Sequence, residues 1–242
     1  MLLGWGLSDR GQQREANEDH WLVDLDLGLL LVCDGMGGHV GGATASHLAA
    51  QAFHEAVELR ARAGGLRGRE VRRVVGEAAE AASLAVYDRA EDEPSLAGMG
   101  TTLTAAIIVG NRAYVAHVGD SRAYLVRQGV VRQLTEDHSL VQEQVRAGLL
   151  TEREARHSRF RNVITRSVGY NREVEVDLMS LSVYPGDIFL LCSDGLTGHV
   201  DDETMADILV SAFLGKAAQL LVDLANYMGG DDNITVVVGR IC

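Results

Sequence analysis

Five aspartates stand at the ends of apolar runs: Asp34 after LLLVC, Asp194 after FLLCS, Asp120 after AHVG, Asp232 within GGDDNITVVV, and Asp19 within NEDHWLV. A single aspartate beside a strand is ordinarily a turn former, because its side chain bonds nearby backbone. Five carboxylates converging on one edge would instead repel one another, and a divalent cation between them is the simplest remedy. Oxygen ligands suit magnesium or manganese. Zinc is a poorer match, since Cys33 and Cys192 occupy alternating strand positions expected to face the core.

Asp34 opens a segment in which five of the eight residues from 35 to 42 are glycine. A glycine-rich turn from strand to helix can hold phosphate on backbone N–H groups. The GxxxxGK[ST] pattern matches at Gly37, Gly42 and Thr44, but Ala43 stands where the lysine belongs; GxGxxG matches at Gly35 and Gly37 but fails at Val40. A carboxylate at the mouth of the loop would also repel phosphate unless a cation lay between.

The elements that must position these residues are legible from periodicity. Apolar runs predict strands at 2–7, 21–25 and 29–33, then two helices, one over about 43–62 with Leu48, Ala49, Ala52, Phe53, Ala56 and Val57 on one face, the next using Val71, Val74, Val75, Ala78, Ala82 and Val86. From residue 101 a β-branched stretch is broken by Gly110-Asn111 and Gln128-Gly129, which read as hairpin turns of an antiparallel meander. Short helix and loop follow over 139–162, strands over 175–183 and 187–192, two helices over 202–229, and a last strand over 233–240. Strands and helices come in blocks, which predicts layered α+β rather than a doubly wound sheet.

The chain has 242 residues, 47% of them apolar, enough for one sizeable core, and a single domain over 1–242 is expected. A formal charge of −12 disfavours nucleic acid, whose phosphates call for lysine and arginine. No apolar run reaches the roughly 18 residues of a membrane span, and the N-terminus lacks a basic leader segment. Three separated cysteines argue against a disulfide framework. These features together predict a cytoplasmic protein, expected as a monomer, with no nucleic-acid or membrane partner.

Eight motifs in order then make the chain recognisable: REANED (14–19), VCDGMGGH (32–39), GTT (100–102), HVGDSRAY (117–124), LTEDHS (134–139), ITRSVG (164–169), CSDGLT (192–197) and DDNITVVV (231–238). The sequence resembles, end to end, the metal-dependent serine/threonine phosphatases of the protein phosphatase 2C family, especially the compact bacterial members. The resemblance implies a four-layer α/β/β/α sandwich of two antiparallel sheets flanked by helices. It implies that Asp34 bridges two manganese or magnesium ions, that Asp194 and Asp232 complete the first, and that Asp19 and the Gly35 carbonyl serve the second. Asp120 matches the aspartate of a possible third ion, and Arg14 the arginine that grips the substrate phosphate with its planar fork. A water activated by two cations about 3.5 to 4 Å apart would attack phosphorus in line.

Many eukaryotic members carry histidine directly after the DG pair, where this chain has Met36; His39 is the nearest substitute, as proton donor or as a plain loop residue, and a metal-bound water near Asp120 could do the same job. Gly35 is expected to leave room for its carbonyl to approach a cation, so that Gly35→Val should weaken metal binding more than stability. Residues 146–172, with Arg146, Arg153, Arg156, Arg159, Arg161, Arg166 and Arg172, match the family's flap. The arginines either touch phosphopeptide or form a solvated surface. The expected partners are phosphoproteins, a cognate serine/threonine kinase and its targets, with control of type VI secretion one possible setting.

Rival readings fit less well. DLDLG at 24–28 imitates a haloacid-dehalogenase nucleophile motif, but Gly28 spoils it and a hairpin turn explains it better. Neither Cys33 nor Cys192 has arginine six positions on, as a cysteine phosphatase would require. A catalytically dead phosphoprotein-binding module would have lost ligands, whereas all five aspartates and Arg14 are present; a structural calcium protein would not need Arg14.

Overall fold

The computed structural model describes residues 1–38, 40–64, 66–68, 70–156 and 158–242. Its strands are β1 (Leu2–Asp9), β2 (Asp19–Asp24), β3 (Leu29–Met36), β4 (Gly100–Thr101), β5 (Leu103–Val109), β6 (Arg112–Val118), β7 (Arg122–Arg127), β8 (Val130–Gln133), β9 (Asp177–Ser182), β10 (Ile188–Cys192) and β11 (Ile234–Ile241). Its helices are α1 (Val40–Arg62), α2 (Glu70–Asp92), α3 (Leu140–Arg146), α4 (Glu152–Arg156), α5 (Asp194–Thr197), α6 (Asp202–Ser211) and α7 (Leu214–Met228). One antiparallel sheet runs β1-β11-β10-β7-β8, the other β2-β3-β5-β6-β9, with β4 beside β3.

Alternation along each central strand divides the core into three layers. On β3, Leu29, Leu31 and Cys33 face α1 and α2, while Leu30 and Val32 face the other sheet. On β10, Phe189 and Leu191 meet them between the sheets, while Ile188, Leu190 and Cys192 pack under α6 and α7. Both faces of these strands are covered, so the runs LLLVC and IFLLC are continuously apolar rather than alternating. The arrangement is the expected α+β sandwich of two antiparallel sheets flanked by helices. Alanines such as Ala45, Ala49, Ala78 and Ala82 let α1 and α2 lie close to their sheet.

The hairpin turns at Gly110 and Gly129 are where the sequence predicts them. Other boundaries differ. Strand β3 runs through Gly35 and Met36, and α1 begins at Val40 rather than 43, so the chain reverses at Gly37 and Gly38. Their φ values of 127° and 74° explain the glycines there, since side chains rarely tolerate that region. The short elements β4 and α5 carry too few residues to show a period.

Phe53 is fully buried between α1 and its sheet. Phe53→Ala should cost about 3–5 kcal/mol of stability, while the folded fraction keeps its active-site chemistry. Denaturant unfolding measured beside turnover checks this, and a loss below 1 kcal/mol, on the same scale, would mean the helix layer closes over the gap.

Candidate metal centre

The carboxylates are brought together by strand pairing. Strands β2 and β3 pair in a register that sets Asp19 opposite Asp34. Asp34 is held by its backbone: its N–H donates to Thr102 Oγ1 at 2.8 Å, and its carbonyl accepts from Thr102 N at 2.9 Å and Thr101 Oγ1 at 2.8 Å. Asp194 opens α5 directly after β10, and the preceding Ser193 reaches across to donate to Asp19 Oδ2 at 2.8 Å. Asp120 lies in the turn from β6 to β7, where the Gly119 N–H donates to His138 Nδ1 at 3.1 Å. Asp232 precedes β11 and accepts at Oδ1 from Asn233 N at 2.8 Å.

Asp34, Gly35, Asp120, Asp194, Asp232 and Arg14 line one cavity of about 310 Å³. Asp19 is not among its lining residues. The electrostatics are those of crowded, buried acids. Burial, then the charges of Asp19, Asp194, Asp120 and Asp232, hold the Asp34 carboxyl well above the usual range. Burial also pushes Asp194 up to about 6, with Asp232 adding to the rise and Arg14 opposing it. Asp120 is pushed up to about 8 by burial, Asp194 and Asp137. Burial takes Asp19 to about 7, against the lowering effect of the Thr235 and Ser193 hydroxyls.

Two carboxylate oxygens, Asp19 Oδ1 and Asp194 Oδ1, are buried without any hydrogen-bond partner. An unpartnered buried carboxylate oxygen is costly, and a hard cation is the partner its chemistry suits. Among the described residues no three His, Cys, Asp or Glu side chains already close around one point. Two oxygens are turned elsewhere: Arg14 Nη2 takes Asp232 Oδ2 at 2.6 Å, and Ser193 takes Asp19 Oδ2. The donor set, its burial and its orphaned oxygens therefore fit divalent cations.

Cys33 and Cys192 are buried in the core as expected; burial raises both thiols, Cys192 to about 12, which leaves them protonated and unsuited to metal. His39 lies outside the described residues. The reason for Gly35 is corrected. A Cβ there would collide with the carbonyl oxygens of Gly42 in α1 and Glu18 beside β2, so packing of strand against helix already requires glycine. Gly35→Val would accordingly unfold the region as well as disturb the site. Of the arginines of 146–172, Arg166 pairs with Asp177 at 3.1 Å and Glu175 at 3.4 Å, Arg146 with Glu136 at 3.5 Å, and Arg161 lines a groove adjoining the cavity. Asn162 and Ile164 reach the cavity itself.

Sequence reasoning missed Thr102, Ser193 and Asn233, which stand within quoted motifs but bond to residues far off in the chain. Their one local signal is a polar residue, buried, beside an apolar run.

The sequence model of the protein phosphatase 2C family matches residues 12–234. The serine/threonine phosphatase stp of Listeria innocua is 38% identical over 239 residues, 96% of this chain and 92% of that one. The serine/threonine protein phosphatase PstP of Mycobacterium tuberculosis is 40% identical over 97% of this chain, which spans 44% of that longer protein. The crystal structure of M. tuberculosis PstP superposes with a TM-score of 0.91 at 39% identity, covering 99% of this chain and 98% of that one. The PstP catalytic domain solved with two manganese ions gives 0.88 at 38% identity, over 99% and 97%.

A carboxyl whose folded pKa is raised stabilises the fold fully below its ordinary value and loses that contribution as pH climbs through the raised value. With Asp194 at about 6, Asp19 at about 7 and Asp120 at about 8, chelator-treated protein should lose thermal stability progressively as pH rises from about 4, the ordinary carboxyl value, to 8. Saturating manganese should reverse the loss and release protons. Calorimetry across that window checks it; a metal-free midpoint that stays level would mean the carboxyls do not confront one another.

Proposed function

The chain belongs to the protein phosphatase 2C family, and from that membership we propose how its own residues carry out the reaction. It is a metal-dependent protein serine/threonine phosphatase. The observation that supports the assignment of roles is the convergence of Asp34, Asp120, Asp194 and Asp232 on one cavity, with two buried carboxylate oxygens left unpartnered. Asp34 would hold two manganese or magnesium ions, with Asp194 and Asp232 completing the first, Asp19 and the Gly35 carbonyl serving the second, and Asp120 taking a third. When bound, such ions would supply an acidified water and would draw charge off the phosphate.

The remaining work falls to the chain. Arg14, half exposed at the cavity and already opposite a carboxylate, offers its guanidinium to the non-reacting phosphate oxygens and fixes the phosphorus for in-line attack. The bond from phosphorus to the serine or threonine oxygen breaks, and that oxygen must gain a proton. His39, next in the chain after the cavity-lining Gly38, is the proposed donor. Residues 146–172 act as a flap, with Asn162 and Ile164 at the cavity and Arg161 at the adjoining groove meeting the peptide. The enzyme works as one catalytic unit, a cytoplasmic monomer that opposes a serine/threonine kinase on shared phosphoprotein targets. No helix among the described residues is long and apolar enough to cross a membrane.

Asp34→Asn or Asp194→Asn should lower manganese-dependent turnover of p-nitrophenyl phosphate at least about a hundredfold, since even residues that only orient metal ligands cost about 10–100-fold. Circular dichroism should show the fold intact. Near-normal turnover would remove that aspartate from the site.

Arg14→Ala should raise KM for a phosphothreonine peptide about tenfold or more, the worth of one charge-assisted hydrogen bond, with a smaller change in kcat. Unchanged kinetics in both parameters would refute its role.

A further inference from the structure

Asn233 follows the proposed metal ligand Asp232, is 5% exposed, and uses its side chain in three directions. Its Oδ1 accepts from Glu18 N at 2.8 Å, and its Nδ2 donates to Arg10 O at 2.9 Å and to Ala16 O at 2.9 Å. All three partners belong to the connection between β1 and β2, more than 200 residues away in the chain, and the two carbonyls bracket the segment that carries Arg14. The bonds also fix which end of the amide is which, since two carbonyl oxygens can only receive N–H donors.

Other bonds also hold the segment: Asn17 Nδ2 donates to Ser8 Oγ at 2.7 Å, Gln12 Nε2 to Asn226 Oδ1 at 3.1 Å, and Arg14 Nη2 to Asp232 Oδ2. Gly11 N bonds Asp9 Oδ1, and Gln12 N and Gln13 N both bond Gly230 O. Glu18 O accepts from Gly35 N at 3.2 Å and Ser46 Oγ at 2.6 Å, so the far end of the segment is tied in turn to β3 and α1.

We propose that Asn233 is a positioning residue that staples the 10–18 connection shut and so sets the distance between Asp232 and Arg14. Successive residues thereby do two tasks: the Asp232 carboxylate faces the cavity, and the Asn233 amide fixes the loop that presents the phosphate-binding arginine. Only an amide of this length serves. Aspartate at 233 would set a carboxylate against two carbonyl oxygens, and serine cannot span both. The inference rests on the role assigned to Arg14, and the test separates the two.

KM and kcat for a phosphothreonine peptide would be measured for Arg14→Ala, Asn233→Asp, Asn233→Ser and the double variant Arg14→Ala/Asn233→Asp, with manganese saturating. Each single variant at 233 should raise KM about tenfold with a smaller fall in kcat, and the double variant should be no worse than Arg14→Ala alone, because residues acting through one group are non-additive. Amide hydrogen exchange in the unaltered protein should show Glu18 N–H, which lies outside any strand, protected like the neighbouring strand amides, and Asn233→Ser should accelerate its exchange at least about tenfold. Additive effects on KM, or an unprotected Glu18 amide in the unaltered protein, would overturn the staple. Should Asn233→Asp fail to fold, the serine variant and the exchange of the unaltered protein decide. If Arg14→Ala itself leaves KM unchanged, it is the role of Arg14 that fails, and exchange alone then judges Asn233.

Discussion

The constraint on which this structure turns is the mutual repulsion of buried carboxylates at one end of two stacked sheets. Asp19 and Asp34 are set opposite each other by the pairing of β2 and β3, while Asp194 and Asp232 come from the ends of β10 and β11 in the other sheet. Neither sheet alone gathers the set. The inter-sheet layer, in which Leu30 and Val32 meet Phe189, Leu191 and Val237, therefore fixes the spacing of the charges. Hydrophobic burial supplies the free energy that holds the acids together against their repulsion.

How the acids are held matters as much as where. Asp34 is gripped by three bonds to its backbone from Thr101 and Thr102, and the Thr102 hydroxyl passes on to Ser121 at 2.8 Å, the residue after Asp120. Ser193 and Thr235 are linked through Thr235 N at 2.9 Å, and Thr235 is linked to Ser8 at 2.7 Å. Hydroxyls and one amide thus tie main chain to main chain across both sheets. Carboxylates fixed through their backbone keep oxygens unengaged, and Asp19 Oδ1 and Asp194 Oδ1 show the result.

Much of this was legible in the chain itself. The apolar runs at 29–33 and 187–192 announced strands, Gly110-Asn111 and Gln128-Gly129 announced hairpins, and the placement of aspartates at strand ends pointed to a cation site before any family likeness was drawn. What stayed hidden has a common physical cause. Gly35 reads as room for a carbonyl because it follows Asp34 at the head of a glycine-rich stretch, yet the atoms it must avoid belong to Gly42 and Glu18. Ser193 meets Asp19 across 174 positions, and Asn233 meets Glu18 across 215. Periodicity reports which face of an element is buried; it carries no record of which polar atom meets which across the fold.

The seven arginines of 146–172 show the same limit from the side of charge. As a sequence feature they form a basic island in an acidic chain, equally consistent with a surface for phosphopeptide and with ordinary solvation. In the fold Arg166 is spent on Asp177 and Glu175, beside the His138 ring whose Nε2 meets Asp177 at 3.2 Å, so it braces the root of the segment. Arg146 is paired with Glu136, and Arg159 lies over the Phe160 ring at 4.6 Å. Exposed pairs of this kind contribute little to stability. The case for contact between this segment and a substrate rests on Asn162 and Ile164 at the cavity and Arg161 beside it, which is to say on position.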